Sequence, residues 1–190
     1  MKKPVDKTLL KKFLNSSEIK QLISHKYIIV AGSYARGDKI VHDLDILVVK
    51  PHQHDLHKVI KNLQGKYNFE QLRGTPESKE INSYLVTDLK TGDHFQLDIR
   101  TTTEKELPFK LQYFMGSKSF NIGLRILALA KGYKLSEYDM VNLKTNKPIK
   151  IKAEKEIFET LGYKFVPYEK RSVKDPQEAI KVIRATKPDV

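Results

Sequence analysis

Residues 32–49 read GSYARGDKIVHDLDILVV. The stretch opens on a glycine, passes through turn and cap residues, and closes in a β-branched apolar run. The YIIVA that precedes it (27–31) and the LDILVV that ends it (44–49) have the continuous apolar pattern of short buried strands. Successive side chains on a strand alternate faces, so Asp43 and Asp45, two residues apart, project to the same side. Asp98, in FQLDIR (95–100), can join them from a neighbouring strand. Three converging carboxylates repel one another unless a cation sits among them, and hard oxygen donors favour Mg²⁺ or Mn²⁺. Asp-x-Asp at a strand start also occurs as a plain turn or solubilising feature, so the pair alone does not decide the matter.

The loop upstream adds to it. A strand that ends at Gly32 and runs through Ser33 into a helix start presents free backbone N–H groups where an anion can approach. Gly32 spares that approach a side chain, Ser33 can cap or donate, and Arg36 can bind phosphate oxygens bidentately. Gly-Ser also makes an ordinary helix cap. A phosphate cradle about ten residues before a pair of metal-competent carboxylates is the rarer combination.

Outward from this stretch, apolar positions in 7–24 follow a helical spacing interrupted at Asn15 and Ser16, which predicts one or two short helices. Residues 55–63 repeat Leu56, Val59, Ile60 and Leu63 on one helix face. Residues 67–72, 81–88 and 94–99 read as strands, the last two joined by LKTGD with Gly92 at the turn. The first half is thus α/β with a mixed sheet. Past Pro108 the pattern changes to helices over 119–131 and 153–161 with strands near 140–143 and 149–151, a small α+β subdomain. The expected division is 1–105, 106–174 and a tail at 175–190, whose Ala179, Ile180, Val182 and Ile183 form either a short amphipathic helix or a mobile end. His54 and His57 in HQHDLH suit a solvated helix start better than zinc, since no further ligands follow at suitable spacing.

The chain has 190 residues, with 35 Lys+Arg against 23 Asp+Glu for a net charge of +12, 39% hydrophobic residues and no cysteine. That composition supports a packed core. It excludes disulfides, a thiol nucleophile and cysteine-ligated metals. The basic balance points to a polyanionic partner, nucleic acid first. No run approaches the roughly 20 apolar residues of a membrane span, and MKKPVDKTLLKKF lacks the apolar region of a signal peptide, so an intracellular, soluble protein without membrane association is expected.

GSYARGD followed by HDLDILVV and a later LDIR resembles the nucleotidyltransferase superfamily that includes DNA polymerase beta. LQYFMGSKSFNIGLRILALAKGYKLSEYDM and IKAEKEIFETLGYKFVPYEKR narrow the likeness to the family X DNA polymerases, over about residues 27–171, in a form as compact as that family's small viral members. The resemblance implies a nucleotidyltransferase palm with a C-terminal subdomain and no lyase domain. It implies a monomer that adds deoxynucleotides to primed or gapped DNA during repair, with two divalent ions per site. It places Asp43 and Asp45 on both ions and Asp98 on the one that activates the primer hydroxyl. Ser33 and Arg36 fall where β and γ phosphates are held, beside Gly32. Arg100 shares Asp98's strand face, either to orient the carboxylates or as a surface charge. Tyr113 and Phe114 match the pair against the incoming sugar, where a 2′-hydroxyl is excluded. Gly116 and Ser117 match a tight turn that is often cis in the family. Asn121 matches a contact to the minor-groove edge of the incoming base, and Arg125 a contact to the template.

Three positions depart from the family pattern: Ala35 for a second arginine, Met115 for threonine, and His42 for glycine, where the imidazole would add a triphosphate contact. Two alternatives stay open on sequence: a nucleotidyltransferase acting on a small molecule, RNA or an untemplated primer, and a non-enzymatic nucleic-acid-binding module. The latter should have lost a carboxylate, and all three are present.

Overall fold

The helical spacing of residues 7–24 resolves into two helices, α1 (Lys7–Leu14) and α2 (Ser17–Ile23), with Asn15 and Ser16 as the break between them. Asp6 caps α1 by accepting from the Thr8 N–H. The computed structural model describes residues 2–75 and 80–186 and divides the chain into two units, Met1–Thr103 and Glu104–Val190.

In the first unit β1 (Ile28–Ala31), α3 (Gly32–Arg36), β2 (Leu44–Val49), α4 (Gln53–Asn62), β3 (Tyr67–Arg73), β4 (Ile81–Asp88) and β5 (His94–Thr102) follow in order. They build one five-stranded sheet ordered β1-β2-β5-β4-β3. Only β2 and β5 pair in parallel, which makes the sheet mixed. Gly92 turns the chain from β4 into β5 at φ +76°, a conformation glycine adopts without steric cost. α1 and the sheet close over an aromatic centre in which Phe13 meets Tyr67 and Phe95 edge-on, at 5.3 and 5.2 Å between ring centroids. Phe13 is fully buried. Its burial contributes about 1.5–3 kcal/mol, which makes it a main anchor of α1 on the sheet.

The second unit contains α5 (Leu107–Phe114), α6 (Lys118–Ala130), a three-stranded sheet of β6 (Tyr133–Leu135), β7 (Met140–Asn142) and β8 (Lys147–Pro148), then α7 (Glu154–Thr160), a 3₁₀ turn at Tyr168–Lys170, and α8 (Pro176–Arg184). Three sequence expectations change here. α5 was not anticipated, because LPFKLQYF is apolar around much of its circumference and shows no clean stripe. β6 was missed as well. The strand expected at 149–151 does not form: the Ile149 N–H donates to the Met140 carbonyl at 2.7 Å, while the third strand is Lys147–Pro148.

The segment expected as a tail is part of the second core. Asp175 caps α8 by accepting from the Glu178 N–H, and Ala179, Ile180 and Ile183 pack with Phe120, Leu124 and Phe158. α8 lies against α6 at Gly123, where a Cβ would sit 2.5 Å from the Ala179 Cβ and 2.9 Å from the Pro176 carbonyl oxygen. Residues 187–190 lie outside the described residues. Among the described residues no helix is long and apolar enough to cross a membrane.

The same core encloses a charge. Arg171 is 0% exposed; its Nη1 pairs with Glu154 Oε1 at 2.5 Å and its Nε donates to the Val166 carbonyl at 2.9 Å. Phe120, Phe158, Phe165 and Tyr168 surround the guanidinium with ring centroids 4.7 to 5.4 Å from Cζ, within cation–π range. The Tyr168 hydroxyl donates to the other Glu154 oxygen at 2.8 Å.

Candidate active site

The sheet register assembles the carboxylates. β2 and β5 set Asp45 opposite Asp98, and β1 and β2 set Ala31 opposite Asp45, so Asp45 lies between the second acid and the start of α3. Asp43 sits one residue ahead of β2. At Asp45, burial first, then the charges of Asp43 and Asp98, push the carboxyl from the usual carboxylate range up to about 7, against the opposing pull of Arg100 and Arg36.

Gly32 makes room for this arrangement. It stands at φ +74°, and a Cβ there would lie 2.1 Å from Asp45 Oδ2. Gly32→Ala therefore adds about 1–2 kcal/mol of backbone strain and drives the Asp45 carboxyl from its place. A lower melting temperature together with at least a hundredfold loss of nucleotide addition is the expected result in thermal unfolding and primer-extension assays. Activity within twofold of wild type would contradict the close approach.

The remaining residues expected around the phosphates lie in the same unit. With five residues α3 carries little macrodipole, so an anion there would rely on local N–H groups and side chains. Arg36 Nη2 donates to Asp38 Oδ2 at 2.7 Å. Arg100 is partly buried on β5, with its charge felt at Asp45. His42 Nδ1 is buried without a hydrogen-bond partner. The imidazole borders a cavity of about 700 Å³ shared with Lys2, Lys3, Lys12, Asp88 and His94.

Two contacts were missed from sequence. Lys2 Nζ meets Asp43 Oδ2 at 3.1 Å, its segment tied down by the Val5 N–H donating to the Val41 carbonyl at 2.7 Å. Gln96 Nε2 donates to Asp98 Oδ1 at 2.8 Å. Gln96 precedes Asp98 by two positions on one strand face, a signal that alternation could have supplied. Lys2 is distant in sequence and gave none. The donor set fits a divalent cation, since it consists of hard oxygens whose mutual repulsion a bound cation relieves. Among the described residues no three ligating side chains are drawn into one ion cage. Lys2 and Gln96 each hold one of the acids.

The other predicted residues cluster in the second unit. Tyr113 and Phe114 end α5 with their rings at 89° and 5.0 Å between centroids. Arg125 Cζ lies 5.6 Å from the Tyr113 ring. Asn121, 7% exposed, donates through Nδ2 to the Tyr113 carbonyl at 2.8 Å and to that of Gly116 at 3.4 Å. Ser117 caps α6 by accepting from the Phe120 N–H. The Gly116–Ser117 peptide is trans; among the described residues the cis peptide is Lys50–Pro51.

Comparison with known proteins matches these features to established families. The nucleotidyltransferase domain family matches residues 11–120 and the DNA polymerase beta thumb family residues 110–172. The chain is 32% identical over 143 residues, 75% of its length and 80% of the relative's, to the repair DNA polymerase X of African swine fever virus. This chain belongs to the family X DNA polymerases. Other family X relatives are longer: it is 28% identical over 141 residues to the DNA polymerase/3′-5′ exonuclease PolX of Bacillus subtilis, covering 23% of that protein. It is 28% identical over 165 residues to DNA polymerase lambda of Rattus norvegicus, covering 28%. Family X enzymes use divalent metal ions, and the acids of the first unit are the donors suited to them.

Proposed function

We propose that this chain is a template-dependent DNA polymerase that fills short gaps during repair, acting as a monomer on primed or gapped DNA and deoxynucleoside triphosphates. The observation that supports it most is the meeting of Asp45 with Asp98 across β2 and β5, where burial together with the charges of Asp43 and Asp98 raises Asp45 to about 7. Asp43, Asp45 and Asp98 would hold two ions, Mg²⁺ or Mn²⁺. When bound, such ions activate the primer hydroxyl and offset charge on the leaving group. The primer 3′-hydroxyl gives up its proton toward solvent as its oxygen forms a bond to the α-phosphorus, the bond from that phosphorus to the bridging oxygen breaks, and pyrophosphate leaves.

The chain's own residues do the positioning. Gly32, Ser33, Arg36 and His42 take the triphosphate, with the Arg36 fork supplying charge-assisted hydrogen bonds. Arg100 steadies the acids. Tyr113, Phe114 and Gly116 line the sugar, Asn121 meets the base edge, and Arg125 faces the template strand. The Lys and Arg side chains behind the net charge of +12 supply phosphate contacts along the DNA.

A single-nucleotide gapped duplex tests this, with each deoxynucleotide, with ribonucleotides and with an unpaired primer, in Mg²⁺ and in Mn²⁺. The expected result is addition of the complementary deoxynucleotide alone, and DNA affinity that falls steeply as salt rises. Equal addition to the unpaired primer, equal use of ribonucleotides, or a flat salt profile would each count against the reading.

A further inference from the structure

Gln112 stands on α5 and is 2% exposed, a costly place for a polar side chain unless it is hydrogen-bonded. Its Nε2 donates to Asn121 Oδ1 at 2.9 Å. The same Asn121 oxygen lies where a side chain at Gly116 would have to go, since a Cβ there would be 2.2 Å from it. The opposite end of the Asn121 amide is fixed by the Tyr113 carbonyl at 2.8 Å, with the Gly116 carbonyl at a long 3.4 Å. The amide is thus held at both ends, its oxygen committed to Gln112 and one N–H committed to Tyr113. The second N–H has only the long contact.

The geometry points to Gln112 as a positioning residue that fixes Asn121 as a hydrogen-bond donor toward the minor-groove edge of the incoming base. This inference rests on the polymerase reading above and extends it to base selection. Every base presents an acceptor on that edge, N3 of purines or O2 of pyrimidines, whereas only guanine adds a donor. An amide fixed as a donor accepts all four correct nucleotides alike. A bound base takes over the hydrogen now directed at the Gly116 carbonyl. Without the Gln112 donor, Asn121 Oδ1 would be buried with its partner lost, and the amide would swing to find another.

The test compares insertion of dGTP and 3-deaza-dGTP opposite template cytosine by the full chain. The analogue keeps the Watson–Crick edge and replaces the N3 acceptor with C–H. For wild type the analogue should be about tenfold less efficient, the value of one hydrogen bond. In Gln112→Met, which fills similar space without a donor, the ratio should fall toward one, with the loss on dGTP carried by KM and kcat nearly unchanged. Gln112→Glu, which sets a carboxylate against Asn121 Oδ1, should give the same convergence. General damage to the fold lowers both nucleotides together and leaves the ratio at its wild-type value, so an unchanged ratio in both variants overturns the inference, as does a wild-type ratio near one. Wild-type chain that extends no primer removes the polymerase reading and this inference together; extension with an unaltered ratio removes this inference alone.

Discussion

Asp45→Asn should abolish nucleotide addition, by at least about a thousandfold, while making the chain more heat-stable in the presence of EDTA. The two effects have one cause. In the folded chain Asp45 is half-buried beside two other acids, and burial first and their charges second push its carboxyl up to about 7, well above the usual carboxylate range. A carboxyl raised by folding is tolerated while protonated and becomes a liability as it ionises, so the folded state binds more protons than the unfolded one between the two values and loses stability as pH rises through that window. Relative to Asp45→Asn, wild type should therefore match near pH 4 and fall behind by about 2–4 kcal/mol by pH 8. Adding Mg²⁺ should narrow the gap by stabilising wild type alone. Thermal melts across pH, with and without the ion, check this. A variant that is less stable than wild type at pH 8 in EDTA would show that the repulsion is already neutralised within the protein.

Arg171→Met should destabilise the second unit by about 3–5 kcal/mol at neutral pH, the usual cost of leaving a buried charge without its partner. Methionine fills much of the space inside the aromatic ring set but cannot offset Glu154. Burial already pushes the Glu154 carboxyl up, with Arg171 and Tyr168 pulling the other way. Once the guanidinium is gone the carboxyl rises further, so the deficit should shrink as the solution is acidified toward the unfolded value. Replacing both partners, with Glu154→Gln added to Arg171→Met, should recover part of the loss. Chemical denaturation of the two variants at pH 7 and pH 5 measures both statements. A deficit independent of pH would mean that lost packing, rather than the stranded carboxylate, dominates.

The first unit was open to reading because its signals are local. YIIVA and LDILVV are strands by composition alone, the break at Asn15 and Ser16 separates two helices where the spacing falters, and alternation puts Asp43 and Asp45 on one face. The pairing of Asp45 with Asp98 depends on how the strands order in the sheet, which alternation suggests but does not fix. The second unit was less open. LPFKLQYF has no clean apolar stripe, so α5 was missed, and with it the setting of Tyr113 and Phe114. Those two, Asn121 and Arg125 were singled out through family resemblance; by residue chemistry alone they read as core and as a solvated helix face. Gln112, Lys2 and Arg171 matter through partners that only folding brings near. Nothing in a run of neighbours marks a glutamine that will orient an asparagine nine positions on, or an arginine that will be enclosed by four aromatic rings.

The notch at Gly123 bears on how the gene for this chain can be handled. Because α8 fits against α6 only where position 123 carries no side chain, the last helix completes an interior that the rest of the unit leaves open. A version shortened at residue 175 would uncover Phe120, Leu124 and Phe158 to water, and sticky, poorly recovered material is the natural outcome. Reporter fusions belong beyond Thr186, where they leave that helix seated.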